Sequence, residues 1–417
     1  MSIGYACLAI AVPESNIKGC TLKNANEERL LSLIEHNLDS LEKMIDYNIY
    51  NDIRLFRISS DLIPFGSSVA KELPWQKIYD EKLTAIGNKI VTAGMRVSMH
   101  PGQYTVLNSP IKSVAMRAVQ DLNYHAMVLD CMRLGTEHKI VLHLGGVYGD
   151  KKQAKIRFIS HYNELEAAIK NRLVLENDGT MFNVRDILET AYATEIPVVY
   201  DNLHNTVNPA DKDSTDIDWI KQCSATWKKG DGLQKIHYSQ QHYEKKPGAH
   251  SESISIDTFL NFYRRLSGIN LDIMLEVKDK NISALKCINC VSNKGISMLE
   301  AEWARYKYIT LERSPEIYNA IRQLLQDKRA YPALKMYRMI EKAFEMPVVT
   351  GNAVNAAQHV WGYFKDKASE PEKKRFQSIL FKLSSGESSF KSLKNHLLLL
   401  ARKYHEDYLL NGYYFYK

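Results

Sequence analysis

No apolar run in this chain approaches the ~20 residues that a bilayer-spanning helix needs, so a membrane partner is not expected. The N-terminus lacks a basic segment ahead of an apolar stretch and passes straight into a strand-like run, which argues against a signal peptide. Cysteine is scarce. The six present in 417 residues (Cys7, Cys20, Cys131, Cys223, Cys287, Cys290) show no framework spacing, which excludes a disulfide scaffold and fits a reducing, cytoplasmic setting. Cys287-x-x-Cys290 has no second pair to complete a zinc knuckle and reads as two helix-facing thiols. There is no internal repeat, no low-complexity linker, and no glycine-rich loop opening the first helix. The last absence counts against a doubly wound dinucleotide fold.

Charge is unevenly placed. The formal net charge is +7, yet residues 301–417 hold 20 Lys+Arg against 12 Asp+Glu, leaving residues 1–300 at −1. A basic tail of this kind can engage nucleic-acid phosphates, or can simply aid solubility.

Residues 1–280 alternate short β-like runs with amphipathic helical stretches. The runs are Ile3–Leu8, Arg54–Ser59, Arg96–Met99, Lys139–Leu144, Arg172–Glu176, Pro197–Asp201, Gln234–Ser239 and Asp272–Glu276. Between them, Asn26–Tyr47 places Leu30, Leu33, Ile34, Leu38, Leu41 and Ile45 at helical spacing, and Ser113–Leu134 and Thr258–Leu266 read similarly. Eight such alternations predict an α/β fold, a TIM (β/α)8 barrel. Past residue 300 strand signals stop. Pro315–Asp327, Ala333–Phe344, Ala353–Tyr363, Glu370–Leu383 and Ser389–Tyr408 read as helices, with His359, His396 and His405 on their surfaces. The expected division is a barrel over 1–295 and an all-α domain over 296–417.

Imidazoles and carboxylates fall at the strand ends. His100 follows the third strand, His143 ends the fourth, Glu176 the fifth and Asp201 the sixth, with His204 three residues on. His237 lies in the seventh, His250 in the loop after it, and Glu276 ends the eighth. In a TIM barrel these positions converge on the C-terminal mouth, where active sites form. Unpaired carboxylates gathered there would repel one another, and buried without cations they would be costly. Metal ions resolve both problems, and mixed imidazole and carboxylate ligation suits Mn²⁺, Zn²⁺ or Fe²⁺ better than Ca²⁺. The set is large enough for two or three divalent ions, an arrangement that serves phosphoryl displacement.

The motifs Leu55-Phe56-Arg57-Ile58-Ser59-Ser60, Met99-His100-Pro101-Gly102-Gln103-Tyr104, Val141-Leu142-His143-Leu144-Gly145-Gly146, Leu175-Glu176-Asn177-Asp178, Asp201-Asn202-Leu203-His204 and Lys246-Pro247-Gly248-Ala249-His250 cover nearly every strand end. In these, residues 1–290 resemble the UV damage endonucleases, a family related to endonuclease IV. The resemblance implies a DNA repair enzyme acting on double-stranded DNA with UV lesions, in the cytoplasm or on the nucleoid. It would nick 5′ of the photoproduct by metal-activated hydroxide attack and leave a 3′-hydroxyl and a 5′-phosphate. Its ions would be manganese-like, with Zn²⁺, Fe²⁺ or Mg²⁺ as alternatives. By resemblance Glu176 bridges two ions and is catalytic, Asp201, His237 and Glu276 complete one site, His100 and His143 a second, and His204 with His250 a third. Gln103 and Tyr104 would probe the distorted duplex while the damaged dinucleotide flips out. Tyr5, in a family-like Gly-Tyr-x-Cys, is a further candidate for substrate contact. Where the family commonly has a histidine after Ile-Pro-Phe, this chain has Ser68.

Lys235 lies two residues before His237, so both side chains should face the barrel interior. An ammonium beside divalent cations is unfavourable, and its pKa should fall. In the endonuclease IV pattern a carboxylate lies two residues before the histidine matched by His250, whereas here Gly248 stands. A neutral Lys235 could take up carbon dioxide as a carbamate, a second catalytic candidate. The alternatives are a neutral amine or an ammonium paired with a carboxylate. Other functions with related chemistry are an apurinic-site endonuclease of the endonuclease IV type and a metal-dependent sugar isomerase or epimerase. A damage-binding scaffold without catalysis is a third. The tail resembles a helical domain of unknown function found in bacterial proteins, which could contact DNA or another protein.

Overall fold

The computed structural model describes residues 1–385 and 389–417. Eight parallel strands close into a barrel in sequence order: β1 (Ile3–Cys7), β2 (Leu55–Ile58), β3 (Arg96–Met99), β4 (Lys139–His143), β5 (Leu173–Glu176), β6 (Val198–Asp201), β7 (Lys235–Tyr238) and β8 (Asp272–Leu275), with β8 pairing back to β1. Strands β5 to β8 are buried at every position, because the barrel interior covers one face and helices the other. The runs are therefore short, and β4, β5 and β6 each end on a polar residue, His143, Glu176 and Asp201.

The helix Glu27–Tyr50 shows how the outer layer forms. Asn26 caps it by accepting from the Arg29 amide, Glu27 and Glu28 oppose the helix dipole, and the six apolar residues expected on one face are all buried.

The chain forms two compact units: Met1–Ala9, Glu14–Ile254 and Thr258–Leu285 in one, and Ile10–Pro13, Ser255–Asp257 and Lys286–Lys417 in the other. The break falls within the helix Asn281–Val291, ahead of the expected 295/296 boundary. Cys287 and Cys290 lie on that helix, and neither is in a disulfide.

The second unit is helical among its described residues, as expected, and opens with a helix that the sequence reading did not mark. Ile296–Arg313 precedes Pro315–Leu324. It buries Glu302 and Glu312 among its apolar residues, which blurs the stripe that marks an amphipathic helix. Both have partners within the unit: Tyr413 donates to Glu302 at 2.8 Å, and Lys394 forms an ion pair with Glu312 at 2.6 Å. The stretch read as one helix over 389–408 is two, Phe390–Lys403 and Asp407–Leu410, divided where His405 takes φ 51°. His396 is buried rather than on the surface.

Candidate metal centre

Parallel pairing carries the strand ends to one rim. His143 lies opposite Glu176 across β4 and β5, and Asp201 opposite His237 across β6 and β7. Glu176 is the hub. Its Oε1 lies 2.7 Å from His237 Nδ1 and 3.7 Å from His204 Nδ1, and its Oε2 lies 3.0 Å from His100 Nε2 and 3.6 Å from His143 Nε2.

The ligand atoms fall into three groups, each within 4.8 Å: His100, His143 and Glu176; Glu176, Asp201 and His204; and Glu176, His237 and Glu276. Glu176 belongs to all three. The partition differs in two respects from that implied by resemblance. Asp201 falls with His204, because its carboxylate caps the helix Asn202–Val207 by accepting from the His204 amide at 2.7 Å. His250 lies outside the groups, 3.6 Å from the Glu276 carboxylate. Ser68 is exposed and outside them as well.

The donor set fits divalent cations. His143 Nδ1, Asp201 Oδ2 and His237 Nε2 are buried without a hydrogen-bond partner, positions where an uncompensated polar atom is costly. The floor is sealed, with the side chains of Asp201 and His237 fully covered, whereas those of His143, His204 and His250 stay 27%, 19% and 26% exposed. A substrate therefore meets the imidazoles first. Beside them opens a cleft of about 600 Å³, bounded by Gln103, Tyr148, Met181 and Lys246.

Charges in the cluster are mutually adjusted. Burial opposes ionisation of Glu176, yet His237, His143 and the hydrogen bonds from His100 and His237 hold it well below the usual carboxylate range. Burial pushes Asp201 up to about 6, reinforced by Glu176 and Glu276 and opposed by His204. Burial works against a charge on His204, but Asp201, Glu176 and Glu276 raise it to about 9. Burial lowers His100 to about 4 despite Glu176. These directions make metal loading a proton exchange. With no ion bound, His204 is protonated at pH 7, and a cation must displace that proton. Loading at pH 7 should therefore release about one proton. Affinity should rise as pH climbs towards 9 and fall as it drops through 6, where Asp201 also protonates. Calorimetric titration in buffers of different ionisation enthalpy measures the release. A buffer-independent heat at pH 7 would exclude it.

Arg57 is a member of the site that the sequence did not single out. It lies in β2 with its side chain largely covered, and its guanidinium pairs with Glu276. Burial resists ionisation of Glu276, but Arg57 and His237 keep it charged. Asn177 is a second omission. It exchanges hydrogen bonds with the Asp201 backbone at 3.0 and 2.8 Å, and its carbonyl lies 2.8 Å from His204 Nδ1, fixing both residues.

Gln103 and Tyr104 project from the loop after β3, and Tyr104 is 70% exposed. Tyr5, the further candidate for substrate contact, presents no exposed surface. It is fully buried, its hydroxyl donates to Asn48 at 2.9 Å in the helix layer, and its ring meets Phe56 edge-on at 5.1 Å. Lys235 is buried in β7 opposite Asp272. Burial and the guanidinium groups of Arg96 and Arg57 hold its amine well below the ordinary lysine range, against Glu176 and Asp272.

Residues 1–304 match the profile of UV-endonuclease UvdE. The chain belongs to the UvdE family. A UV DNA damage endonuclease of Clostridium perfringens is 37% identical over 408 residues, covering 97% of this chain and 96% of that protein. One from Bacillus cereus (strain Q1) is 30% identical over 288 residues, covering 67% of this chain and 90% of that protein. The crystal structure of SacUVDE superposes with a TM-score of 0.66 at 36% identity, over 70% of this chain and 98% of that one. UvdE membership thus rests on the barrel. Residues 307–417 match DUF1722, a protein of unknown function. No helix among the described residues is long and apolar enough to cross a membrane.

Proposed function

We propose that this chain is a DNA repair endonuclease that nicks the backbone 5′ of ultraviolet photoproducts and leaves a 3′-hydroxyl and a 5′-phosphate. The observation that carries the reading is Glu176, common to three groups of potential ligands at the barrel mouth, in a chain similar along nearly its whole length to a UV DNA damage endonuclease of Clostridium perfringens. Two or three divalent ions would be held by His100, His143, Glu176, Asp201, His204, His237 and Glu276, with His250 at the rim. Mn²⁺ is the first choice, with Zn²⁺, Fe²⁺ and Mg²⁺ as alternatives. Bound there, such ions supply the Lewis acidity for in-line displacement at phosphorus. The protein's part is to hold negative charge and lone pairs in fixed places. Arg57 keeps Glu276 ionised, Asn177 orients Asp201 and His204, and the sealed floor excludes bulk water from beneath the cluster. Gln103 and Tyr104 contact the lesion from the edge of the cleft, which favours a UV lesion over an abasic site. Incision of irradiated, abasic and undamaged duplexes, compared side by side, tests the assignment.

Lys235 enters this reading as a carbamate. The neutral amine adds carbon dioxide and releases a proton, and the product is an anion. The neighbours that disfavour the ammonium, Arg57 and Arg96, would then attract the group, which would also offer oxygen atoms towards the metals. Crystals of the metal-loaded protein grown at pH 7 or above should show planar density beyond Nζ. Density ending at Nζ would exclude the carbamate.

The helical unit would add phosphate contacts. Lys307 lies over Tyr308 and Tyr408, 4.6 and 4.7 Å from the ring centroids, and its amine is held below the ordinary lysine range by burial and by Arg322, also a cation. Reversing both charges (Lys307→Glu with Arg322→Glu) should weaken duplex binding and reduce the slope of log K against log salt by about 2. An unchanged slope would assign this surface to a protein partner.

A further inference from the structure

The loop that carries His100, Gln103 and Tyr104 is fastened at both ends to one turn of a single helix. Within Lys112–Cys131, Asp121 and His125 lie four residues apart and are both buried. Thr105, at the far end of the loop, donates from Oγ1 to Asp121 Oδ2 at 2.5 Å. At the near end, the Ser60 hydroxyl donates to the His100 backbone carbonyl at 2.6 Å. Ser60 Oγ also lies 2.9 Å from His125 Nε2, which ties it to the helix. His125 is in turn held through Nδ1, which lies 2.6 Å from the Asp121 carbonyl. Tyr124, between them, donates to the Ser60 carbonyl at 2.9 Å and accepts from the Ile63 amide at 3.2 Å.

Between the fastenings the loop is free to reach outwards. The Thr105 amide closes a turn on the Gly102 carbonyl at 2.9 Å, and Gly102 leaves room for the Tyr104 ring, which would meet a Cβ there at 2.3 Å. Gln103 and Tyr104 stand exposed at its tip. An exposed probe gains little from its own contacts, and ordering it on binding costs entropy unless its ends are already fixed.

We infer that Asp121, His125 and Ser60 are positioning residues that hold the lesion-contacting pair Gln103–Tyr104 at a fixed offset from the metal ligand His100. The inference rests on the assignment of those two residues as the lesion probe. The clamp sets the distance between the inserted side chains and the phosphate to be cut. Asp121 and His125 lie outside the groups of potential metal ligands. Each acts through the loop backbone or through Thr105.

Two readouts on the full, metal-loaded protein test this. The first needs no DNA: 3-fluorotyrosine at position 104 reports the mobility of the probe by its fluorine line width. Thr105→Val and Asp121→Ala should narrow the line, and Asp121→Asn, which keeps an acceptor for Thr105, should leave it broad. Thr105→Val is nearly isosteric and guards against Asp121→Ala failing to fold. The second readout is the ratio of affinities for irradiated and undamaged duplex. It should fall about tenfold in Thr105→Val and Asp121→Ala at unchanged metal content. Asp121→Ala added to the paired Gln103→Ala and Tyr104→Ala should cost nothing more, since it acts through the residues already removed. An unchanged line width in Thr105→Val, or additive losses in that combined variant, would overturn the clamp. A narrowed line in a protein whose wild type does not prefer irradiated DNA would leave the clamp standing and reject the proposed substrate.

Discussion

Glu176→Ala should abolish incision and strip the centre of most of its metal. The carboxylate is shared by all three ligand groups, and four histidines lie within 2.7 to 3.7 Å of its oxygens. Its removal leaves neighbouring cations facing one another without the anion between them, and buried imidazoles without a partner. The rate of a single turnover should fall on the order of 10³-fold or more, a larger loss than that of one preorganised donor. Elemental analysis should show fewer ions per chain than in wild type. Glu176→Gln, which keeps the volume, should be nearly as damaging if charge is the cause. Ser68→Ala is the control. Ser68 is exposed and lies outside every ligand group, so its loss should change metal content and rate little. Wild-type activity in Glu176→Ala would remove the basis for a shared cluster.

Replacing both Gln103 and Tyr104 by Ala should separate recognition from chemistry. Both are exposed at the tip of their loop, and neither belongs to a ligand group. Stacking of an aromatic ring on a base contributes about 1–3 kcal/mol, so affinity for an irradiated duplex should drop roughly 10- to 100-fold. Affinity for undamaged DNA should barely change, since phosphate contacts dominate there. Metal content should equal that of wild type. A parallel fall in bound metal would mean that the pair supports the centre instead of reading the lesion.

Much of this was legible in the sequence because a TIM barrel punishes polar residues everywhere except at its strand ends. In Leu173-Val174-Leu175-Glu176 the apolar run stops on the residue that lies at the hub of the rim. The same break marks His143 and Asp201. Arg57 was not legible as part of the site. A lone charged residue inside a strand has no pattern to declare its partner, and its counter-charge Glu276 lies 219 residues away. Tyr5 was misread for a related reason. Both faces of a barrel strand are buried, so burial pattern alone does not tell which side chains face the mouth and which face the helix layer. Asp121 and His125 sit on a helix face that reads as ordinary amphipathic surface, and only tertiary contact with Thr105 and Ser60 reveals their use. In the second unit, Ile296–Arg313 escaped notice because two of its buried positions are glutamates paired across the bundle.

Incision of one defined duplex tests the central claim most directly. The duplex carries a single ultraviolet photoproduct, and undamaged and abasic duplexes of the same sequence are measured beside it, after chelation and after return of Mn²⁺. The account predicts no cleavage in chelator. With Mn²⁺ it predicts a nick 5′ of the photoproduct with 3′-hydroxyl and 5′-phosphate ends, and little cleavage of the undamaged strand. Cleavage that survives chelation, or that treats damaged and undamaged DNA alike, would contradict it.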